Sequence, residues 1–400
     1  MPHTAENTLP APALDLAELR RRAGPRLAAI GAGAAERERL RQLPHEQVRA
    51  LAAEQLLCWR IPPQYGGAGA SVRDTVRFVI DLAAVDSNVA QALRPSFAFI
   101  EGLLARDGDA ERQRWFPRFL AGQVFGNAGW EVGGANGAVS ARLRRDGEHF
   151  RASGSKYYST GSLYADWVSA VALDDDEQPV SFVVPRDRQG LELLDDFDAM
   201  GQRLTASGTT RLNELLVHPG EIRPRLIEEG QRSIVTPFLQ LFLGAVEAGI
   251  ARNALDDAVA FARDHARPIK HSSASRSVDD PYVEFAVGEI SARAFAAEAV
   301  ILRAADSIDA AWAACLDKDA VTHASVDVAQ AQFIAVESAL KAAELLFDVG
   351  GASTTGRQYN LDRHWRNART LANHNPRHWK AAVVGAYRLK GSEPPTSGLF

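Results

Sequence analysis

The chain has 400 residues, 46% hydrophobic and 24% charged, with 45 basic and 50 acidic side chains for a formal net charge of −5. That length asks for more than one core, and the acidic balance argues against a general nucleic-acid or anionic-membrane surface. Two cysteines, Cys58 and Cys315, make neither a disulfide framework nor a zinc-ligand spacing, and no apolar run reaches the roughly 18 residues that a bilayer span needs.

The N-terminal MPHTAENTLPAPALD lacks the basic-then-apolar order of a signal peptide and reads as a loose tail, so a cytoplasmic protein is expected. Residues 14 to 124 read as helices rich in Ala, Leu and Arg. IPPQYGGAGAS (61–71) interrupts them: two prolines end one helix, and glycines free the backbone before the next starts at Ser71. From 126 to 220 the character changes. HFRASGSKYYSTG, WVSAVALDD, QPVSFVVPRD and TRLNELLVHP are short β-type runs parted by Gly, Asp and Pro, as in a small antiparallel domain.

Long helices return from about 232. Val283, Val287, Ile290, Ala294, Ala297, Ile301, Ala304 and Ile308 alternate steps of four and three, as do Val326, Ala329, Phe333, Val336, Leu340, Ala343 and Phe347. Two such stripes, rich in alanine, describe closely approaching helices of an antiparallel bundle, with Gly350 and Gly351 ending the second. Next comes RHWRNARTLANHNP (363–376), which carries Arg363, Arg366, Arg369, His364 and His374 and not one acid. A surface helix normally offers acids as counterweight, so these side chains must face something. No strand–GxGxxG–helix unit for a nicotinamide cofactor is present; GAGAAE at 31–36 lacks the third glycine.

The order helical, β, helical bundle, with PPQYGGAGAS at the first break, GNAGWE at the entry to the β region and GQRLTASGTT near its end, resembles the acyl-CoA dehydrogenase superfamily over nearly the whole chain. The resemblance implies a mainly α fold with a central β domain: an N-terminal helical domain (1–125), a small antiparallel β domain (126–225) and a C-terminal four-helix bundle (226–400). It also implies a homotetramer with flavin between the β domain and the bundles. In true dehydrogenases of this superfamily a glutamate removes the α-proton of the substrate. Here the two positions that glutamate takes hold Asn375 and Leu239, and neither an amide nor an alkyl group accepts a proton near neutral pH. DRHWRNARTLANHNP, ARDHARP, DDPYVEFAVGEI and KYYSTGSLYADW are instead similar to the flavin monooxygenase branch: dibenzothiophene, alkanesulfinate and sulfone monooxygenases and sulfur-acquisition oxidoreductases.

That branch takes reduced flavin, usually FMN rather than FAD, from a separate NAD(P)H-dependent reductase. Oxygen adds at the flavin C4a, and the resulting hydroperoxide oxidises a small organosulfur compound such as a sulfone, sulfinate or thioether. N-hydroxylation of an amine or amino sugar, and a degenerate flavin-binding homologue, stay open as alternatives. The resemblance assigns His374 to proton management, a task that suits imidazole near pH 7. It sets Asn127 over the flavin ring and the Thr160 hydroxyl near flavin N5. Tyr158, Ser207, Arg267, Gly350, Gly351 and Arg369 join the cofactor contacts, with Arg267 supplied by a neighbouring subunit for the phosphate. Arg94, Phe97, Trp130 and Leu371 line the substrate pocket, Leu371 standing where relatives often have a second histidine. For Arg94 the favoured reading is a solvated helix residue, with an anion contact as the alternative.

Overall fold

The computed structural model describes residues 14–106, 108–133, 137–223, 232–396 and 400. Most of the expected N-terminal tail, and the expected border at 225/226, lie outside the described residues.

Six helices open the chain: α1 (Leu16–Gly31), α2 (Ala34–Leu40), α3 (His45–Ala53), α4 (Val72–Val85), α5 (Ser87–Leu104) and α6 (Ala110–Leu120). Side-chain caps fix three of their starts. The Asp15 carboxylate accepts from the Ala17 amide, the Ser71 hydroxyl from Asp74, and the Asp86 carboxylate from Asn88 and Val89, each satisfying an amide that the first helical turn leaves open. The expected start at Ser71 matches its place as the cap of α4. The preceding helix, however, stops at Ala53, well before Pro62. Turns fill the gap, so the prolines shape a loop rather than end a helix.

The β region is one sheet in the order β6–β7–β3–β2–β4–β5–β8, built from β2 (Arg142–Asp146), β3 (His149–Lys156), β4 (Trp167–Leu173), β5 (Pro179–Pro185), β6 (Leu191–Leu193), β7 (Thr210–Val217) and β8 (Ile222–Arg223). The antiparallel expectation holds for most pairings among the described residues. It fails at two: β1 (Phe125–Ala128) and the first residue of β2 both pair parallel with β4. The sheet is therefore mixed. A strand entering from α6 runs alongside β4 because helix and loop, not a hairpin, lead into it.

The bundle comprises α7 (Val235–Asp264), α8 (Pro281–Ala313) and α9 (Lys318–Leu345), with α10 (Arg363–Ala372) and α11 (Arg377–Lys390) packed on α9. In α8 the stripe Ile290, Ala294, Ala297, Ile301, Ala304 and Ile308 is buried as its spacing requires. In α9, Phe333 and Leu340 of the expected stripe are only half-buried, as is Phe347 just past the helix end, while Val328, Ala331, Ala335, Ala339 and Ala342 are buried as well. That helix is covered on two sides, which a single heptad reading cannot express. Small residues allow the approach: a Cβ on Gly249 of α7 would lie 2.4 Å from that of Ala83 on α4.

Candidate active site

Helix α5 is the ground on which the site is built. Residues four apart share a helix face, and Ala92 and Ser96 turn theirs to the β region. The Ser96 hydroxyl donates to the Phe125 carbonyl (3.1 Å) and accepts from the Phe125 amide (3.0 Å), fixing β1 and with it Asn127. Gly161 lies so near that a Cβ would stand 2.3 Å from the Ala92 carbonyl oxygen, and its φ of +75° is one that glycine adopts without cost. Arg94 and Phe97 point the other way, toward α7. The Arg94 Nε donates a long bond (3.4 Å) to the Leu239 carbonyl, and the Phe97 ring centroid lies 5.5 Å from that of Phe242.

On the β side the structure gathers a wall of hydroxyls. The Asn127 amide donates to the Thr160 carbonyl (3.2 Å), Thr160 Oγ1 lies 3.0 Å from Ser207 Oγ, and Ser207 Oγ lies 2.8 Å from Thr205 Oγ1. The loop GQRLTASGTT that brings Ser207 here is held from two sides: the Gln202 amide donates to Asn367 of α10 (2.6 Å), and the Leu204 amide to Asn88 of α5 (3.1 Å). Trp130 is half-buried, its carbonyl accepting from the Tyr157 amide, and Tyr158 stands 52% exposed with φ +57°. Beyond Trp130, Glu131 pairs with the buried Lys156, and despite its own desolvation this contact holds the Glu131 carboxyl down at about 2. The loop after β1 is thereby anchored to β3.

On the helical side, His374 occupies the turn between α10 and α11. Surrounding protein, then the Arg94 guanidinium, push its pKa down to about 3, although the residue as a whole is exposed. The imidazole is neutral near pH 7. Arg94 feels the same desolvation, which brings it down to about 10, still protonated. Arg94 is half-buried rather than fully solvated: it reaches from α5 toward α7, with its charge close to His374. Leu239 is half-buried beside it. Asn375 is turned inward, its Nδ2 donating to Gln240 Oε1 at 2.6 Å. Neither position that a dehydrogenase would give to its glutamate carries a base.

The rest of RHWRNARTLANHNP faces distant acids. An Arg363 Nη donates to Asp257 of α7 (2.6 Å), His364 Nε2 lies 2.8 Å from the same carboxylate, and Arg366 pairs with Glu38 of α2 at 2.7 Å. Against a desolvation that would raise it, the Asp257 carboxyl is held far below its usual range by His364 and Arg363. Burial keeps His364 neutral, so it donates as the Nε2–H tautomer. Arg369 is half-exposed near the end of α10, and Leu371 is buried.

Three other candidates are not brought to this place within one protomer. Gly350 packs on Phe261, a Cβ there lying 2.3 Å from the ring, and Gly351 follows it with φ +55°. Arg267 is exposed just past the end of α7. From Leu239 to Phe261 is twenty-two positions along that helix, about 33 Å at 1.5 Å per residue. Arg267, Gly350 and Gly351 therefore share the far end of the bundle. Phe97 is 2% exposed and belongs to the core wall rather than to an open surface. Sequence reading missed Gln240, Lys380 and Glu247. Buried Lys380 donates to Gln240 (3.3 Å) and lies 4.7 Å from the Phe400 ring centroid, with burial pushing its pKa down to about 7. Glu247 is 1% exposed with no hydrogen bond to either carboxyl oxygen, and desolvation raises its pKa well above the usual range. Polar residues inside an apolar helix were the available signal.

This arrangement of helices, sheet and bundle coincides with two family descriptions: the acyl-CoA dehydrogenase N-terminal domain over residues 25–123, and the acyl-CoA dehydrogenase C-terminal domain over 241–378. A dibenzothiophene monooxygenase of Mycolicibacterium goodii is 31% identical over 381 residues, 90% of each chain. A probable FMNH2-dependent monooxygenase, SfnC of Pseudomonas putida, is 30% identical over 406 residues, 98% of each chain. The crystal structure of FMN-bound TdsC from Paenibacillus sp. A11-2 superposes with a TM-score of 0.89 at 25% identity, over 96% of this chain and 100% of that one. The chain belongs to the acyl-CoA dehydrogenase superfamily, in its flavin-dependent monooxygenase branch.

Proposed function

We propose that the protein is the oxygenase half of a two-component system: it receives reduced FMN from a separate NAD(P)H-dependent flavin reductase and adds one oxygen atom to a small organosulfur compound. One observation carries the reading. A neutral histidine, His374, stands next to Asn375, and the two positions where a dehydrogenase would present a carboxylate base hold Leu239 and Asn375. The names of the relatives agree with it, dibenzothiophene monooxygenase and FMNH2-dependent monooxygenase.

The hydroxyl-bearing wall on the β side fits a flavin. Thr160, Thr205 and Ser207 present hydroxyls in a row, Gly161 leaves no room for a Cβ, and the buried hydroxyls of Ser159 and Thr370 meet no protein partner among the described residues. Reduced FMN, when bound, supplies two electrons and activates dioxygen. Thr160 and Ser207 would hold its polar edge, Asn127 would stand over the ring, and Trp130 and Tyr158 would form the rim, with Arg369 as a further contact. His374, neutral and beside the cleft, is suited to give and take a proton at a ring nitrogen. Leu239 and Leu371 keep water from that side.

Arg267, Gly350 and Gly351 reach a cofactor only across a subunit boundary, so we assign the flavin phosphate to these residues of a neighbouring copy in a homotetramer. Exposed large apolar side chains supply surface for such contacts: Tyr282, Phe285 and Phe295 on α8, Trp379 and Leu389 on α11. No described helix is long and apolar enough to cross a membrane, and we place the enzyme in the cytoplasm. The test supplies NADH, FMN and a generic flavin reductase together with a panel of sulfones, sulfinates, thioethers and amines under isotopically labelled dioxygen. Mass spectrometry should find one labelled oxygen in a sulfur compound. Hydrogen peroxide as the only product across the panel would sink the reading.

A further inference from the structure

Two arginines outside the candidate active site keep buried donors unused. Arg106 follows the end of α5 and Arg223 ends β8. Nε and Nη1 of Arg106, and Nε and Nη2 of Arg223, are buried and meet no acceptor among the described residues. Other recessed arginines are matched: Arg60 meets Glu101 and Arg363 meets Asp257, each at 2.6 Å. Arg223 is 9% exposed, and its guanidinium carbon lies 4.0 Å from the centroid of the Phe99 ring. Glu111 Oε2 stands 3.9 Å from Arg223 Nε, beyond hydrogen-bond reach, and accepts instead from Trp115 Nε1 at 3.0 Å. Desolvation, and then the like charge of Arg106, push the Arg223 pKa down to about 9. Cations withdrawn from water beside one another are costly unless something answers them. We propose that Arg106 and Arg223 form a binding site for a tetrahedral oxyanion, inorganic phosphate or sulfate, where the N-terminal helices meet the sheet.

Charge and shape select the ligand. The charges acting on Arg223 are Arg106 and Arg114 of its own sign and Glu111 of the opposite one. With Arg223 itself that makes three positive groups against one negative, a surplus of two that a dianion cancels. Each guanidinium fork takes two oxygens on one atom. A carboxylate has only two and is filled by one fork, whereas phosphate and sulfate have four and answer both. Arg114 adds charge more than contact, since it already donates to the Gly220 carbonyl and lies 4.6 Å over the Trp115 ring. Arg106 is half-buried, so an ion reaches the pair from its side. The site joins two parts of the fold. Arg223 pairs with Ser181 of β5, and Phe99 beneath it packs on Phe125 with 4.4 Å between ring centroids. Phe125 opens β1, the strand that carries Asn127. An ion held by both arginines therefore ties the end of α5 to the sheet beside that strand. The site is independent of the reaction proposed above and of its substrate.

The test is calorimetric titration of the FMN-loaded protein, whose flavin-phosphate site is already taken, with phosphate, sulfate and acetate in chloride buffer at matched ionic strength. Phosphate or sulfate should bind at one ion per subunit and raise the melting temperature, and acetate should do neither. Arg223→Gln and Arg106→Gln should each weaken the bound anion roughly ten- to hundredfold, the range for a hydrogen bond to a charged group. Arg106→Lys should recover part of the loss, and FMN affinity should not move. No saturable heat from either phosphate or sulfate overturns the proposal. So does binding that both substitutions leave unchanged, which would place the ion elsewhere, and so does equal binding of acetate. A drop in FMN affinity in step with anion affinity would make the pair a flavin-phosphate contact instead, and would also overturn it. Should Arg223→Gln fail to fold, Arg106→Gln, at the half-buried rim, still decides.

Discussion

Two groups of basic side chains stand at the two ends of α10, and their surroundings differ. Arg363 and His364, in the first turn of α10, share Asp257, and Arg366 pairs with both Glu38 and Asp362. His374 and Arg94, at the other end of that helix and across from it, have no acid among the described residues, and the pKa values of both are lowered. The paired group ties α10 to α7 and α2, and its energetics close within the protein. The unpaired group is left incomplete, and an incomplete electrostatic arrangement in a cleft marks a place for something the chain does not itself contain. Charge alone does not mark a site; charge without its counterion does.

The sharpest way to break that contrast is to remove one residue from each side. If His374 serves chemistry, His374→Ala should fold and bind FMN, since it lies in a turn outside the bundle stripes. Oxygenated product should fall by roughly 10²–10⁴, the range for a positioned acid or base, while hydrogen peroxide rises. A structural histidine predicts a lower melting temperature and an unchanged product-to-peroxide ratio, so measuring both separates the two. Asp257→Ala should do the opposite. It strands Arg363 and His364 in a buried setting, at a cost of about 3–5 kcal/mol, with the ratio preserved in whatever protein still folds. Urea denaturation measures the first effect, and a loss confined to the ratio would mean that the paired group is not structural.

A smaller effect tests the assembly. Arg267 lies past the far end of α7, beyond Phe261, which is itself about 33 Å along the helix from Leu239. In a tetramer, Arg267→Ala should weaken FMN binding by about 1.5–3 kcal/mol, with the oligomer intact by light scattering. Unchanged affinity would detach Arg267 from the cofactor.

Much of the fold was legible because it is local. The stripe from Ile290 to Ile308 states which face of α8 is buried, and Ser71 announces the start of α4. What was not legible is what distance hides. Asp362 balances Arg366 locally, but the other acids that balance α10 come from 106 and 328 positions away in sequence, so the segment read as more available to a cofactor than it is. The parallel pairing of β1 with β4 depends on a path through α6 that four residues, FGNA, cannot reveal. Arg94 read as solvated because it is charged, and only the packing of α7 against α5 shows that it is partly covered.

Glu247 extends the comparison to a third case, an acid without a cation. It lies inside α7, its carboxyl oxygens meet no donor among the described residues, and desolvation raises its pKa well above the usual range, which the Arg377 charge offsets only in part. The sign of its linkage follows. Unfolded, the carboxyl loses its proton near pH 4.3 or so; folded, it keeps the proton to a higher pH. Stability is therefore fully present below the unfolded value and falls as pH rises toward the folded one. Glu247→Gln preserves the shape and needs no proton. The variant should match wild type near pH 4 and become the more stable of the two as pH rises to 8, by chemical denaturation at one fixed subunit concentration. A variant less stable at pH 8 would mean that Glu247 is ionised and paired in the assembled protein, and would move it into the same class as Asp257.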